Sequence, residues 1–554
     1  MLSGHEQVNP MERLHPKTIA NLPVGVERPR YERSGLQAGI VHLGLGVFQR
    51  AHLAVVNEAA LHATNDGRWG AVGVSLRQAD TRDALAPQAG LYTLAIRDAA
   101  PDGTPREALQ VIGNLFDVLV APEDPREVLE RIAHADTRIV SLTVTEKGYH
   151  HEPAGPPWAT KRPTLVDLGR IPECEAHRLT DEPATGALRL GDADIVHDLA
   201  HPAAPRTAIG FIVQGLQLRR FRGMAPLTLL SCDNLPANDD TLRHLVLAFA
   251  AHVDPALCDW VASTCTFPNS MVDRIVPRTT GADRERISAR PGLRDAWPVV
   301  GEPFLDWVIE DRFANGRPDW QAGGARFVEH AEPFEKLKLR MVNGSHSALA
   351  YRGAVAGWRT VDRAMAEPAL HHYLDTLLRD EIAPTLPHLP GLDLNDYRAR
   401  LLQRFANPTL QHETQQIAMD GSQKLPQHLL GTVRDRLAAH TSIKRLALAV
   451  AAWFHYLRGV DEAGTRYTIH DPLGADLRAR LAHAQAAGSV RDAAAHSVGF
   501  APGLGAPPRC IGDVARQAAS LPQRGVVATL QGLARARRAA PRARTEVRSA
   551  QLAW

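Results

Sequence analysis

Short apolar runs punctuated by glycine and polar residues mark the first half of this chain, whereas apolar positions in the second half recur at helical spacing. Gly39-Ile40-Val41-His42-Leu43 reads as a buried strand, Gly44-Leu45-Gly46 follows at once, and Phe48 to His62 carries an amphipathic, alanine-rich helical pattern. Ala71 to Leu76 predicts a second strand and Leu91 to Ile96 another. Thr137 to Thr145 is an apolar run of the parallel-sheet kind. A helix is expected near Ala208 to Arg222, then a buried strand from Leu227 that ends in polar residues at Asn234. From Phe334 onward glycine is scarce and the period is helical through Ser347 to Ala364, Ala369 to Ile382, Tyr397 to Phe405 and Ile443 to Tyr456. Strand, glycine turn and helix followed by more strands predicts a doubly wound α/β sheet, and the rest a mostly α-helical C-terminal domain.

The expected boundaries are an N-terminal arm over 1–35, rich in Pro, Arg and Glu, and a Rossmann-type domain over 36–328. A helical catalytic domain over 329–533 and a basic tail over 534–554 complete the chain. Within the first domain, residues 150–180 look like an inserted Pro- and His-rich loop. Its histidines His150, His151 and His177 lack the spacing of a zinc site, so no metal is expected. The tail holds Arg535, Arg537, Arg538, Arg542, Arg544 and Arg548 with little apolar content and reads as disordered.

Composition narrows the class. With 554 residues, 44% hydrophobic and 22% charged, the chain can bury more than one core. A formal charge of +2 gives no global attraction to nucleic acid. No apolar run reaches the roughly 18 residues of a membrane span, and the first residues lack a signal peptide's apolar centre, so a cytoplasmic enzyme without membrane partners is expected. Five scattered cysteines without a Cys-x-x-Cys pair indicate neither a disulfide framework nor a structural zinc site.

Candidate chemistry concentrates in the segment from Glu335 to His346. At about 100° per residue, with Lys338 at zero, His346 falls at about 80°, Asn343 at about 140° and Glu335 at about 60°, so one helix could gather all four on a single face. A lysine is a poor base at its ordinary pKa of about 10.4, but burial lowers that value and makes it a proton acceptor near neutrality. An amide beside it can hold a carbonyl or alkoxide oxygen. The plainer alternative is a solvated helix lysine, a core histidine and an exposed glutamate.

The turn Gly44-x-Gly46 is the kind that lets backbone amides approach a pyrophosphate. It has no third glycine, position 49 being Gln, and two glycines near a strand also make an ordinary turn. Asp80, just beyond the second strand, can accept hydrogen bonds from ribose hydroxyls, while Arg77 could meet a 2′-phosphate. The loop Glu146-Lys147-Gly148-Tyr149 follows a parallel strand, at the edge where open α/β sheets bind ligands, and Asn234 occupies the equivalent place after a later one.

Lys338, Asn343 and His346 at this spacing, with Ser231-Cys232-Asp233-Asn234 and Gly44-x-Gly46-x-Phe48-x-Arg50-Ala51-His52, resemble the mannitol dehydrogenase family of polyol-specific long-chain dehydrogenases from about Gln37 to Leu533. Gln49 stands where that family commonly has histidine. The resemblance implies NAD as cofactor, held by Gly44, Gly46, Phe48, Arg50 and Asp80; with Ala79 replacing a neighbouring family acid, NADP stays open. It implies Lys338 as general base, Asn234 and Asn343 on the reacting oxygen, His346 as orienting group and Glu335 as a proton outlet. Asp273, Lys424, Gln416 and Lys147 would line the substrate. Asp273 with Arg274 could equally be an internal ion pair.

The family interconverts secondary alcohols and ketones on open-chain sugars. Gln416, where the mannitol enzymes have arginine, leans the expectation toward fructuronate reduction, with mannitol 2-dehydrogenation or another polyol as the alternative. Expected partners are a small polyol, ketose or hexuronate, and the chain would be a monomer or weak homo-oligomer. Outside the class, a silent NAD-binding protein, or a nucleic-acid binder using the arginine tail, remain as contrasting readings.

Overall fold

The computed structural model describes residues 11–100, 102–152, 187–486, 512–514, 516–518 and 523–539. The chain forms two compact units. One comprises Met1–Leu339, Leu386–Leu392 and Asn407–His412; the other comprises Arg340–Thr385, Asp393–Ala406 and Glu413–Trp554.

The first unit is built on a five-stranded sheet of β1 (Ile40–Leu43), β2 (Ala71–Ser75), β3 (Leu115–Val120), β4 (Ile139–Leu142) and β5 (Thr228–Ser231), in the order β3-β2-β1-β4-β5. All neighbours run parallel. Residues of β1, β2, β4 and β5 are buried without exception, which is why these runs are mostly apolar rather than alternating. Val41, Val72, Val140 and Leu229 pack into one core with the helices Pro125–Ala133, Ala208–Phe221 and Asn238–Val253. Ile40, Ala71, Ile139 and Leu230 pack into another with the helix Leu53–Thr64, Trp307 and Trp320. The doubly wound α/β expectation is therefore borne out, and the strand order reverses between β1 and β4. Local chemistry sets the helix starts: the Thr207 hydroxyl accepts the Gly210 N–H at 2.9 Å and so caps Ala208–Phe221.

Several expectations are corrected. The strand read at Leu91 to Ile96 is present, but in a different sheet. Tyr92–Ala99 pairs antiparallel with Pro105–Ile112 in a separate four-stranded sheet. Residues 11–35 of the N-terminal arm are docked rather than loose: Leu14 and Leu22 are buried with Leu91, Val111 and Leu293, and Val26–Glu27 adds a strand beside Pro105–Ile112. Buried leucines outweigh the arm's polar composition. The helix predicted over Phe48 to His62 is broken at His52 into Val47–Ala51 and Leu53–Thr64.

The second unit is helical among its described residues. Ser345–Val355 is buried along nearly its whole length against Lys444–Tyr456 and Thr414–Ala418. The helix Val526–Ala539 runs past Leu533, so the beginning of the arginine tail is helical. Residues 540–554, and the inserted loop from 153 to 180, lie outside the described residues. Among the described residues no helix is long and apolar enough to cross a membrane. Cys232, Cys258 and Cys265 are buried and form no disulfide.

Candidate active site

β1 ends at Leu43 and the chain turns at Gly44, whose φ of +87° and position against the Thr143 carbonyl, 2.3 Å from where a Cβ would stand, leave room for glycine alone. Gly46 caps the short helix Val47–Ala51. This turn lies at the carboxyl edge of the sheet, beside the strand-order reversal, where open α/β sheets take nucleotides. Asp80 is exposed just past β2, at the start of the helix Asp80–Leu85, and Arg77 is exposed nearby. These groups fit a dinucleotide: a tight backbone turn for the phosphates and an open carboxylate for the ribose. Phe48 is half-buried and stacks on the His52 ring at 5.0 Å.

Arg50, expected at the cofactor, is held from within the fold. Its guanidinium is buried, donates to the Trp297 carbonyl and lies over the Tyr92 ring, and burial brings it down to about 10. These contacts tie the short helix to Trp297 and Tyr92. Gln49, at the position of a third glycine, is also buried and lines a small internal cavity with Asn114, Ser141 and Trp307.

The catalytic candidates of the first unit come together. Lys338 is 5% exposed, and its Nζ donates to Oδ1 of Asn234, which is itself exposed just beyond β5. With Oδ1 engaged, the Asn234 Nδ2 hydrogens are the donors left for another oxygen. His52 lies in the same neighbourhood: burial holds it down at about 3, and Arg274, Asp273 and Lys338 all act on it electrostatically. Asp273 is buried, while Arg274 donates to the carbonyls of Glu302 and Ala51.

Glu335 is no solvated helix residue. It is 8% exposed, and both its oxygens accept the Ala237 N–H at 3.1 Å. Ala237 precedes the helix Asn238–Val253 in a left-handed conformation and offers no side-chain cap, so Glu335 supplies the missing acceptor. Asn269 donates to the same carboxylate at 3.3 Å. Burial, aided by Asp239 and Glu332, pushes Glu335 up to about 7.

Asp233, which the sequence shows only as part of the Ser231-Cys232-Asp233-Asn234 motif, organises the loop after β4. It accepts the Val144 and Thr145 N–H groups at 3.0 and 2.9 Å and the Tyr149 hydroxyl at 2.9 Å, and burial pushes it up to about 6. Lys147 is exposed on this loop. Nearby, His150 Nδ1 and Asp192 Oδ1 are 3.1 Å apart, and Asp192 also caps the helix Ala193–Ala200.

Beyond Lys338 the chain continues as a π-helical turn, Leu339–Gly344, before the helix Ser345–Val355. A π-turn advances fewer degrees per residue than an α-helix, so the single-face arithmetic drawn for an α-helix does not carry through Asn343 and His346. Asn343 Nδ2 donates to Nε2 of His428 at 3.3 Å, and His346 stacks on Phe405 at 4.6 Å. His428, buried on another π-turn, was not foreseen. Only its place in the fold distinguishes it from other histidines. Gln416 is exposed on the helix Thr414–Ala418, and Lys424 Nζ donates to the Ile417 carbonyl at 3.4 Å. Arg340 is committed to Asp435 at 2.6 Å.

The chain matches the model of the mannitol dehydrogenase Rossmann domain over residues 38–322 and that of the mannitol dehydrogenase C-terminal domain over residues 330–521. It is 42% identical over 476 residues to the D-mannonate oxidoreductase of Escherichia coli strain K12, covering 85% of this chain and 90% of that one. It is 38% identical over 476 residues to a mannitol 2-dehydrogenase of Pyrenophora tritici-repentis, covering 85% and 78%. Among solved structures, a ternary complex of the Pseudomonas fluorescens mannitol 2-dehydrogenase with NAD and D-mannitol superposes with a TM-score of 0.82 at 34% identity, over 94% of this chain and 99% of that one. The resemblance carried by Lys338, Asn343, His346 and Asn234 is thereby borne out: this chain belongs to the mannitol dehydrogenase family of oxidoreductases.

Proposed function

We propose that this chain is an NAD-dependent oxidoreductase interconverting a secondary alcohol and a ketone on an open-chain sugar acid, D-mannonate and D-fructuronate in the first instance. The single observation that carries the chemistry is a buried lysine amine bonded to an exposed strand-end amide, Lys338 to Asn234. The Gly44 turn and Asp80 hold the dinucleotide, which when bound accepts hydride from the carbinol carbon. Lys338 takes the hydroxyl proton in oxidation and returns it in reduction. Asn234, through Nδ2, steadies the oxygen as its charge changes. Asn343, one turn further along the same helical run, is assigned to that oxygen as well. Glu335, poised near neutrality, passes the proton onward from the lysine. His346, held flat against Phe405, orients substrate hydroxyls.

Gln416 and the identity to the Escherichia coli D-mannonate oxidoreductase support the sugar-acid reading, and Lys147 and Lys424 are candidate cations for the carboxylate. The likeness to the mannitol 2-dehydrogenase structure supports a second reading, D-mannitol and D-fructose. Steady-state rates with D-fructuronate, D-fructose and D-mannitol, each with NAD(H) and NADP(H), decide between them. A preference for fructose over fructuronate in kcat/KM removes the first reading, and a lack of turnover with all three removes both.

A further inference from the structure

We infer that Thr143 and His42 are positioning residues for the glycine turn, forming a relay of hydrogen bonds that fixes the Gly44 carbonyl and with it the loop that receives the dinucleotide. The inference rests on the proposed function in one respect, that this turn binds NAD.

The relay crosses the point where the strand order reverses. His42 on β1 and Ser141 on β4 are register partners. His42 Nδ1 lies 2.9 Å from Ser141 Oγ, and its Nε2 lies 2.9 Å from Thr143 Oγ1. Thr143 Oγ1 in turn donates to the Gly44 carbonyl at 3.1 Å.

Proton positions follow from the far end of the chain. A carbonyl only accepts, so the Thr143 hydroxyl spends its hydrogen on Gly44 and must itself accept from His42. Nε2 of His42 therefore carries the ring proton, and Nδ1 accepts from the Ser141 hydroxyl. The imidazole stays neutral because it is wholly buried, which holds it down at about 3 although the ring also bonds the Gly44 backbone.

The backbone explains why a side chain is needed here. The Thr143 N–H bonds to the Leu43 carbonyl at 3.0 Å, and the Gly44 N–H bonds to Val74 at 2.9 Å. At Gly44 the chain leaves the strand with φ of +87°, and the Thr143 hydroxyl takes up its carbonyl. The same Thr143 presses its own carbonyl against the Gly44 Cα. Packing and hydrogen bond thus locate the turn from one residue, and the imidazole beneath keeps that residue's hydroxyl aimed.

The experiment measures NADH affinity of the full chain by fluorescence titration, with kcat at saturating NADH alongside. Thr143→Val is expected to weaken binding about three- to tenfold. Thr143→Ser, which keeps the hydroxyl, should stay within about twofold of the parent. Ser141→Ala leaves the link from His42 through Thr143 to Gly44 intact and should also stay within about twofold, whatever its effect on Tm. Across the series kcat should move less than affinity. Independently of any variant's folding, nitrogen NMR of histidine-labelled parent protein should place the His42 proton on Nε2. Parental affinity in Thr143→Val, a loss in Ser141→Ala as large as that in Thr143→Val, or a proton on Nδ1 would overturn the relay. A parent that binds neither NADH nor NADPH would instead overturn the proposed function.

Discussion

Asn343 donates to His428 across 3.3 Å, and each of the two residues sits on its own π-helical turn, Leu339–Gly344 and Pro426–Leu430. Because the amide donates, His428 accepts at Nε2 and carries its proton on Nδ1, within 3.2 Å of the Ser347 hydroxyl. One Nδ2 hydrogen of Asn343 is thereby tied down and the other is left to donate. π-turns are rare and recur at functional sites, and here two of them are cross-linked through a proposed catalytic amide.

His428→Ala is accordingly expected to lower kcat about tenfold while leaving NADH affinity unchanged, and Asn343→Ala to lower it at least about a hundredfold, the usual loss for one oxyanion donor. Steady-state kinetics with a parallel NADH titration checks both. Equal rates in His428→Ala and parent would show that the amide needs no such support.

Lys338→Ala removes the proposed base. Positioned acid–base groups contribute roughly a hundred- to ten-thousandfold, so kcat should fall by at least about a hundredfold with Tm and NADH affinity near parental. Near-normal turnover would falsify the role assigned to Lys338.

Glu335 gives a pH signature. Its carboxyl is raised from 4.5 to about 7, chiefly by burial, so the folded state favours the protonated form. The associated stability is complete below the ordinary value and is lost as pH rises through about 7, an effect on the order of 3 kcal/mol at the alkaline end. Glu335→Gln, which cannot ionise, should therefore show a smaller fall in Tm than the parent between roughly pH 5 and 8.5. It should also lose the kcat limb near neutrality. Parallel Tm curves for the two proteins would exclude the buried titration.

Gly44→Ala places a methyl group against the Thr143 carbonyl in a left-handed conformation. The strain is about 1–3 kcal/mol, and the turn must move to relieve it. NADH affinity is expected to drop more than about tenfold, with kcat per bound cofactor less affected. Calorimetric titration of NADH into the folded variant, well below its lowered Tm, makes the comparison, and parental affinity there would remove Gly44 from the nucleotide site.

Much of this protein is legible in one dimension. Strands buried on both faces are mostly apolar, with the few polar residues they hold, such as His42 and Ser141, paired inside, which is why Ile40–Leu43, Ile139–Leu142 and Thr228–Ser231 announce themselves. A turn that tolerates only glycine has to show one, as at Gly44, and the spacing of Lys338, Asn343 and His346 identified the family before any geometry. Other features depend on partners far away in the chain. The arm at 11–35 reads as loose because Leu14 finds its core beside Leu91 and Leu293. Whether Glu335 is a proton outlet or a solvated helix glutamate stays open along the chain, because nothing local says that Ala237, Asn269 and Asp239 surround it. That Arg50 also bonds Trp297 and lies over Tyr92 is equally invisible along the chain.

Periodicity and motif thus set which elements form and what family they serve, since both are properties of neighbours along the chain. The protonation of a carboxylate, the aim of an amide and the direction of a guanidinium came from the fold, because burial and hydrogen bonding are properties of neighbours in space.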